Sequence, residues 1–235
     1  GWAGIALVDR DTSMLEGACA EVAAAGARAV PFVADLSDLD RTSALVGDVV
    51  AAMGRVDTVV NSAAIARPAI AALDYRAADF VQDLNVNLLA GFILAREAAR
   101  DMISRDAMGT VVFVASINAQ GAGVGSIGYC ASKAGVVAAM KVLAAELGDH
   151  GIRVNAVSPG PSDTPRSVGR VGEKVMTQLR RRFDGAALRR LGAASEIADA
   201  IVWLASDGSS YVSGHDLVVD GGLMASVYVA AKPQQ

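Results

Sequence analysis

Tyr129-Cys130-Ala131-Ser132-Lys133 sets a phenol and an ammonium four residues apart at the start of an alanine-rich, helix-forming stretch. At that spacing the two side chains share one helix face, a turn apart. An ammonium beside a phenol favours the phenolate and draws its pKa down from the ordinary value of about 10. Such a pair can exchange a proton with an oxygen near neutral pH. The spacing alone is common on helix surfaces, so the neighbourhood has to carry the weight. Ser116 stands thirteen residues before Tyr129, just past the compact run Val111 to Val114. By itself it reads as a turn residue at a strand end. Asn87 by itself reads as a polar helix residue bonded to its own backbone.

The elements that must position these groups alternate regularly. Apolar runs at Ile5 to Val8, Ala29 to Val33, Val56 to Val60, Val111 to Val114, Ile152 to Val157 and Leu217 to Val219 read as strands. Helical segments lie between them: Thr12 to Ala25 stopped by Gly26, Asp40 to Met53, a long stretch capped by Asp74 and running with interruptions to Arg105, Ser126 to Leu147, and a helix capped by Ser195 and ending near Ser206. Several strands are continuously apolar, as burial on both faces requires. The pattern predicts an α/β chain with a doubly wound, mostly parallel sheet between two helical layers.

The chain has 235 residues, enough for one well-filled domain. Hydrophobic residues make up 53% and charged residues 20%, so part of the surface is expected to be covered by partner subunits. With a net charge of -4 and no basic stripe, nucleic acid is not an expected partner. No apolar run approaches the roughly 18 residues of a membrane span. Cys19 and Cys130 have neither metal-ligand spacing nor the pattern of a secreted disulfide scaffold. No metal is expected, and a cytoplasmic setting fits best.

Gly109-Thr110-Val111-Val112-Phe113-Val114-Ala115-Ser116, a glycine-containing loop and Tyr129-Cys130-Ala131-Ser132-Lys133 together resemble the active-site stretch of the classical short-chain dehydrogenase/reductase family. Further matching segments follow in order: Asp35-Leu36, Asn61-Ser62-Ala63-Ala64, Asn87, Gly151 to Gly160, Thr164, and Gly214 to Gly222. The resemblance spans residues 4 to 222 and implies a Rossmann-like three-layer fold with a nicotinamide dinucleotide as cofactor. It also implies roles. Tyr129 exchanges the proton of a secondary alcohol or its ketone. Lys133 supports the phenol and bonds the nicotinamide ribose. Ser116 orients the substrate oxygen, and Asn87 holds a water. Asp9 falls where a carboxylate accepts the adenosine ribose hydroxyls and repels a 2'-phosphate, so NAD is expected rather than NADP. Asp35 and Leu36 flank the adenine. Asn61, Ala63 and Ala64 line the cofactor, while Pro159, Gly160 and Thr164 meet the nicotinamide. Residues 164 to 190, rich in arginine, form a cover over the substrate within the single domain of residues 1 to 235. A homotetramer or homodimer through two long helices is implied, with the alanine-rich segment 134 to 145 able to pack across it.

Two departures qualify the resemblance. Ser62 and Ala64 stand where the family has asparagine and glycine, and Ala64 would hinder the cofactor if its position required positive φ. The family's first strand and its TGxxxGxG loop, which aims a helix N-terminus at the pyrophosphate, are not in this sequence. In the family that strand lies between those read here at residues 5 to 8 and 56 to 60. The expectation is therefore of a chain that starts late, with an upstream segment in the functional protein. Ser226 to Val229 is the one apolar piece that can be considered for the gap. The alternative to an enzyme is a non-catalytic structural or interaction relative that has lost its cofactor site.

Overall fold

The computed structural model describes residues 4–225; Ser226 to Val229 lie outside them. The chain opens on strand β1 (Gly4–Asp9) and helix α1 (Thr12–Ala24), followed by β2 (Arg28–Val33) and α2 (Leu39–Met53). Next come β3 (Thr58–Asn61), α3 (Ala77–Leu84), α4 (Ala90–Ser104) and β4 (Gly109–Val114). The second half holds α5 (Ile127–Leu147), β5 (Ile152–Pro159), β6 (Ser162–Asp163), α6 (Pro165–Val171), α7 (Glu173–Arg181), β7 (Gly192–Ala193), α8 (Ala194–Ala205) and β8 (Asp216–Val219).

Local chemistry accounts for the first boundaries. The Asp11 carboxylate accepts the Ser13 and Met14 N–H groups and so caps α1. Asp38 accepts Arg41 N–H at the start of α2, and Gly54 at φ 90 ends that helix in the left-handed conformation. The helical stretch expected to run with interruptions to Arg105 reaches Ser104 and is interrupted by a π turn, Asn85–Leu89, between α3 and α4. Two expected caps fail. Asp74 does not cap a helix; it closes a 3-10 turn, and α3 starts at Ala77 behind Arg76. Ser195 does not cap α8. That helix starts one residue earlier, and the Glu196 carboxylate accepts Ala193 N–H instead. Residues 164 to 190 are also more regular than the sequence suggests, since they hold α6 and α7.

The strands pair in parallel, but not in one continuous ladder. β1 pairs with β2, and β3-β4-β5-β8 form a second sheet; β6 and β7 make a small third pairing. Hydrogen bonding stops between β1 and β3, where the resemblance places a further strand. Burial follows this break. β4 and β5 are almost wholly buried, whereas β1 is half-buried along its length and Val60 in β3 is 45% exposed.

Alternation along β4 and β5 builds two cores, one on each sheet face. Val111 and Phe113, with Val154 and Ala156, face α2, α4 and α5 through Val46, Ala95, Met102, Val136 and Met140. Val112 and Val157 face α8 through Leu204 and Ala205. Helix, sheet and helix thus form three layers around the strands that carry Ser116 and Pro159. Among the described residues, Ile127–His150 is long and apolar enough to cross a membrane by length and composition alone. Its residues Val136, Met140 and Leu143 are buried in the core against the sheet, as a central helix of this layer requires.

Candidate active site

Asp9, Asn61 and Pro159 end their strands, and Asp35 and Ser116 come just after theirs, so parallel strands gather these groups at carboxyl ends, where open α/β sheets bind ligands. Tyr129 and Lys133 lie in the first two turns of α5. The Lys133 ammonium sits 5.8 Å from the Tyr129 ring centroid. It is 2% exposed and donates to Val114 O at 2.6 Å, two residues before Ser116. The π turn carries Asn87, fully buried. The Asn87 amide holds one backbone unit from both sides: Oδ1 accepts Ile65 N–H at 2.7 Å and Nδ2 donates to Ile65 O at 3.0 Å. Nδ2 also donates to Ser132 Oγ at 3.1 Å, and Ser132 Oγ donates to Tyr129 O at 2.7 Å. Asn87, Ser132 and Tyr129 are therefore one bonded chain. Ser116 Oγ accepts Asn118 N–H at 3.2 Å, which leaves the hydroxyl proton for another acceptor. Such a corner can take a proton from, and orient, a small oxygen-bearing molecule.

Several residues that the sequence reading passed over hold this corner together. Gly91 faces Asn61 so closely that a Cβ would stand 2.1 Å from Asn61 Nδ2. A glycine inside a helical pattern was the available signal. Asp83, 1% exposed, receives Arg67 Nε at 3.1 Å and the Tyr75 hydroxyl. Burial, reinforced by the Asp83 carboxylate, pushes the Tyr75 phenol up to about 12. Because the folded value lies above the unfolded one of about 10, this contribution to stability is complete below pH 10 and is lost as pH rises through about 12. Urea unfolding between pH 9 and 12, windows set about these two values, is expected to show a falling midpoint whose slope is smaller in Tyr75→Phe. An equal slope in both proteins would remove Tyr75 as the source.

The positions expected to meet a dinucleotide fall in two groups. At the ends of β1 and β2 an open cleft of ≈ 780 Å³ is lined by Arg10, Asp11, Thr12, Val33, Ala34, Asp35, Asp38 and Arg41. Asp9 ends β1 beside it, exposed, with Oδ1 accepting Asp11 N–H at 3.0 Å. Arg10 leans toward Asp35 at 3.9 Å, and backbone and side-chain bonds from Ser37 hold the Asp35 carboxyl below the usual range. Leu36 is half-buried behind Asp35. This cleft suits an adenosine in size and polarity. It offers no helix N-terminus to a phosphate, because Asp11 already occupies that of α1. In the second group, Asn61 is buried, Ala63 is exposed and Ala64 half-buried in the loop after β3. Ala64 is not among the positive-φ residues, so its backbone accommodates alanine. Gly160 follows β5 with Asp220 so near that a Cβ would stand 2.7 Å from Asp220 Cα. Thr164 caps α6, its Oγ1 accepting Ser167 N–H at 3.2 Å.

Four arginines of the covering segment are paired with neighbouring acids. Arg180 pairs with Asp163 and Glu173, Arg182 and Arg189 with Asp184, and Arg190 with Glu196.

Comparison with known proteins fits this geometry. Residues 3–224 match the family described as Enoyl-(Acyl carrier protein) reductase. The chain is 40% identical over 189 residues to (+)-borneol dehydrogenase 1 of Salvia officinalis, covering 80% of this chain and 72% of that protein. It is 36% identical over 207 residues to L-rhamnose 1-dehydrogenase (NAD(P)(+)) of Azotobacter vinelandii, covering 88% and 80%. The crystal structure of a short-chain type dehydrogenase/reductase from Mycobacterium marinum superposes with TM-score 0.86 at 31% identity, covering 95% of this chain and 86% of the other.

Proposed function

The chain belongs to the short-chain dehydrogenases/reductases, nicotinamide-dependent oxidoreductases, and we propose that it interconverts a secondary alcohol and its ketone with NAD rather than NADP. The observation that carries this reading is the bonded corner of Asn87, Ser132 and Tyr129 with Lys133 buried against Val114 O. A bound nicotinamide dinucleotide would supply the hydride acceptor for the alcohol, or the hydride donor for the ketone. Tyr129 takes the hydroxyl proton at its phenol oxygen, or gives it back in the reverse direction. Lys133 favours the phenolate by its charge and bonds the nicotinamide ribose. Ser116 donates its hydroxyl proton to the substrate oxygen, and Asn87 holds a water beside Tyr129. Pro159, Gly160 and Thr164 receive the nicotinamide; Asn61, Ala63 and Ala64 line its approach; Asp35 and Leu36 flank the adenine.

The substrate is a sugar, polyol, hydroxyacyl compound or similar neutral alcohol, covered by residues 164–190 of a single Rossmann-like domain. Pairing of Arg180, Arg182, Arg189 and Arg190 with neighbouring acids supports a neutral substrate over an anionic one. The assembly is a homotetramer or homodimer. Ala134, Ala138 and Val142, the last 56% exposed, form an apolar outer face on α5 that a second copy can cover. The setting is cytoplasmic, in keeping with two free cysteines.

NAD is favoured because Asp35 lines the cleft and Asp9 ends β1 beside it, with Arg10 leaning toward Asp35. A 2'-phosphate there meets repulsion. Calorimetric titration of the full-length protein is expected to give NADH an affinity at least about tenfold above that of NADPH, or roughly 1.4 kcal/mol. Asp9→Asn should close most of that difference while light scattering shows the same oligomer. Equal affinities in the unaltered protein would overturn the assignment of NAD.

A further inference from the structure

Asp83 is a buried acid that the proposed chemistry does not use. Its carboxylate takes Arg67 Nε on one oxygen and the Tyr75 hydroxyl on the other. Arg67 also reaches Asp79 at 3.2 Å and Gln82 Oε1 at 2.6 Å. The carboxylate lies against the first turn of α5: a Cβ on Gly128 would stand 2.3 Å from Asp83 Oδ2 and 2.9 Å from the Tyr75 hydroxyl. Gly128 immediately precedes Tyr129. The first turn of α5 has no acid of its own, so Asp83 supplies the negative charge that a helix N-terminus favours.

The arrangement is doubled. Asp83 and Asn87 are four residues apart, on either side of the point where α3 passes into the π turn. Asn87 grips Ile65, and Asp83 grips Arg67 two residues later. Both also reach the turn of Tyr129, Asn87 through Ser132 and Asp83 through Gly128. Ile70 N–H donates to Gly125 O at 2.9 Å, tying the same loop to the segment that leads into α5. Mere filling of this space calls for an apolar side chain, since a buried ion pair adds little stability over well-packed hydrophobic residues. What a carboxylate with two directional partners adds is a fixed position.

We propose that Asp83 is a positioning residue for Tyr129, clamping the Ile65 to Tyr75 loop and the first turn of α5 in the one relation that presents the phenol to the substrate oxygen. The proposal rests on Tyr129 being the proton-transfer group. Asp83→Ala removes the clamp, and Asp83→Asn keeps its shape without the charge: its amide oxygen still accepts Arg67 Nε–H, and its NH2 donates to the Tyr75 hydroxyl oxygen in place of accepting from it. In the full-length protein, Asp83→Ala is expected to lower kcat about tenfold or more while KM for the dinucleotide stays within about twofold. Asp83→Asn should return kcat to within about threefold of the unaltered protein.

A second readout does not depend on turnover. The protein has four tyrosines, so 3-fluorotyrosine labelling without added cofactor gives four fluorine resonances, assigned by single Tyr→Phe variants. The Tyr129 resonance should move in Asp83→Ala and hold its place in Asp83→Asn. If Asp83→Ala does not fold, Gly128→Ala, which drives a methyl into the carboxylate, is expected to move the same resonance and lower kcat at unchanged dinucleotide KM. An unmoved Tyr129 resonance with kcat per folded chain within about twofold, in Asp83→Ala or its substitute, overturns the proposal. If Tyr129→Phe proved fully active, the catalytic assignment would fall, and the resonance would still decide whether Asp83 fixes Tyr129.

Discussion

Tyr129→Phe is expected to lower kcat by about 10³-fold and to leave the fold and dinucleotide binding in place. The substitution removes one oxygen and keeps the ring, so the packing of α5 is unchanged. A positioned general acid/base contributes roughly 10²–10⁴ in rate. Ser132 Oγ donates to the Tyr129 carbonyl and Asn87 Nδ2 donates to Ser132 Oγ, so this chain persists in the variant. Steady-state turnover of a secondary alcohol that the unaltered protein oxidises, paired with a dinucleotide titration, measures both halves. A rate within about tenfold of the unaltered protein would place the proton transfer elsewhere.

Lys133→Met is expected to reduce kcat/KM by about 10²–10³. Methionine matches the length of the buried stem but brings neither charge nor donor. The phenolate loses the cation that favours it, and a substrate proton has a poorer acceptor. Val114 O, which takes Lys133 Nζ at 2.6 Å, loses a partner, at a cost of about 1–3 kcal/mol. Relief from burying an ammonium at 2% exposure offsets part of that loss. Activity should therefore fall far more than stability. Lys133→Arg should not rescue turnover, because a planar guanidinium cannot follow the path of a linear stem through this packing. Urea unfolding beside the kinetics separates the cases. A large loss of stability with kcat intact would make Lys133 a core residue and nothing more.

Much of the site could be seen in the chain because its signals are local or ordered. Tyr129 and Lys133 share a face by helical periodicity alone. Asp11 and Asp38 cap their helices through bonds two or three residues long. Strand runs such as Val111 to Val114 are apolar on both faces because two layers of helix cover them. Where local signals compete, the sequence misleads. Asp74 and Ser195 are good capping residues, yet neither caps a helix. Tyr75, next to Asp74, is drawn to Asp83, and Glu196 reaches back to Ala193 N–H and starts α8 one residue early. The sequence shows many arginines in residues 164–190, but only the fold shows which carboxylates Arg180, Arg182, Arg189 and Arg190 meet.

The sequence by itself determined the alternation of strand and helix, the three-layer class and the identity of the groups able to move a proton, because periodicity, capping and residue chemistry act over a few neighbours. Tertiary structure alone decided that Asn87 grips Ile65, that Asp83 meets Gly128, that Gly91 makes room for Asn61, and that strand pairing stops between β1 and β3. Those relations join residues 22 to 45 positions apart, or elements that never neighbour in sequence. Their partners are chosen by how the layers pack, and no local pattern of residue types encodes that choice.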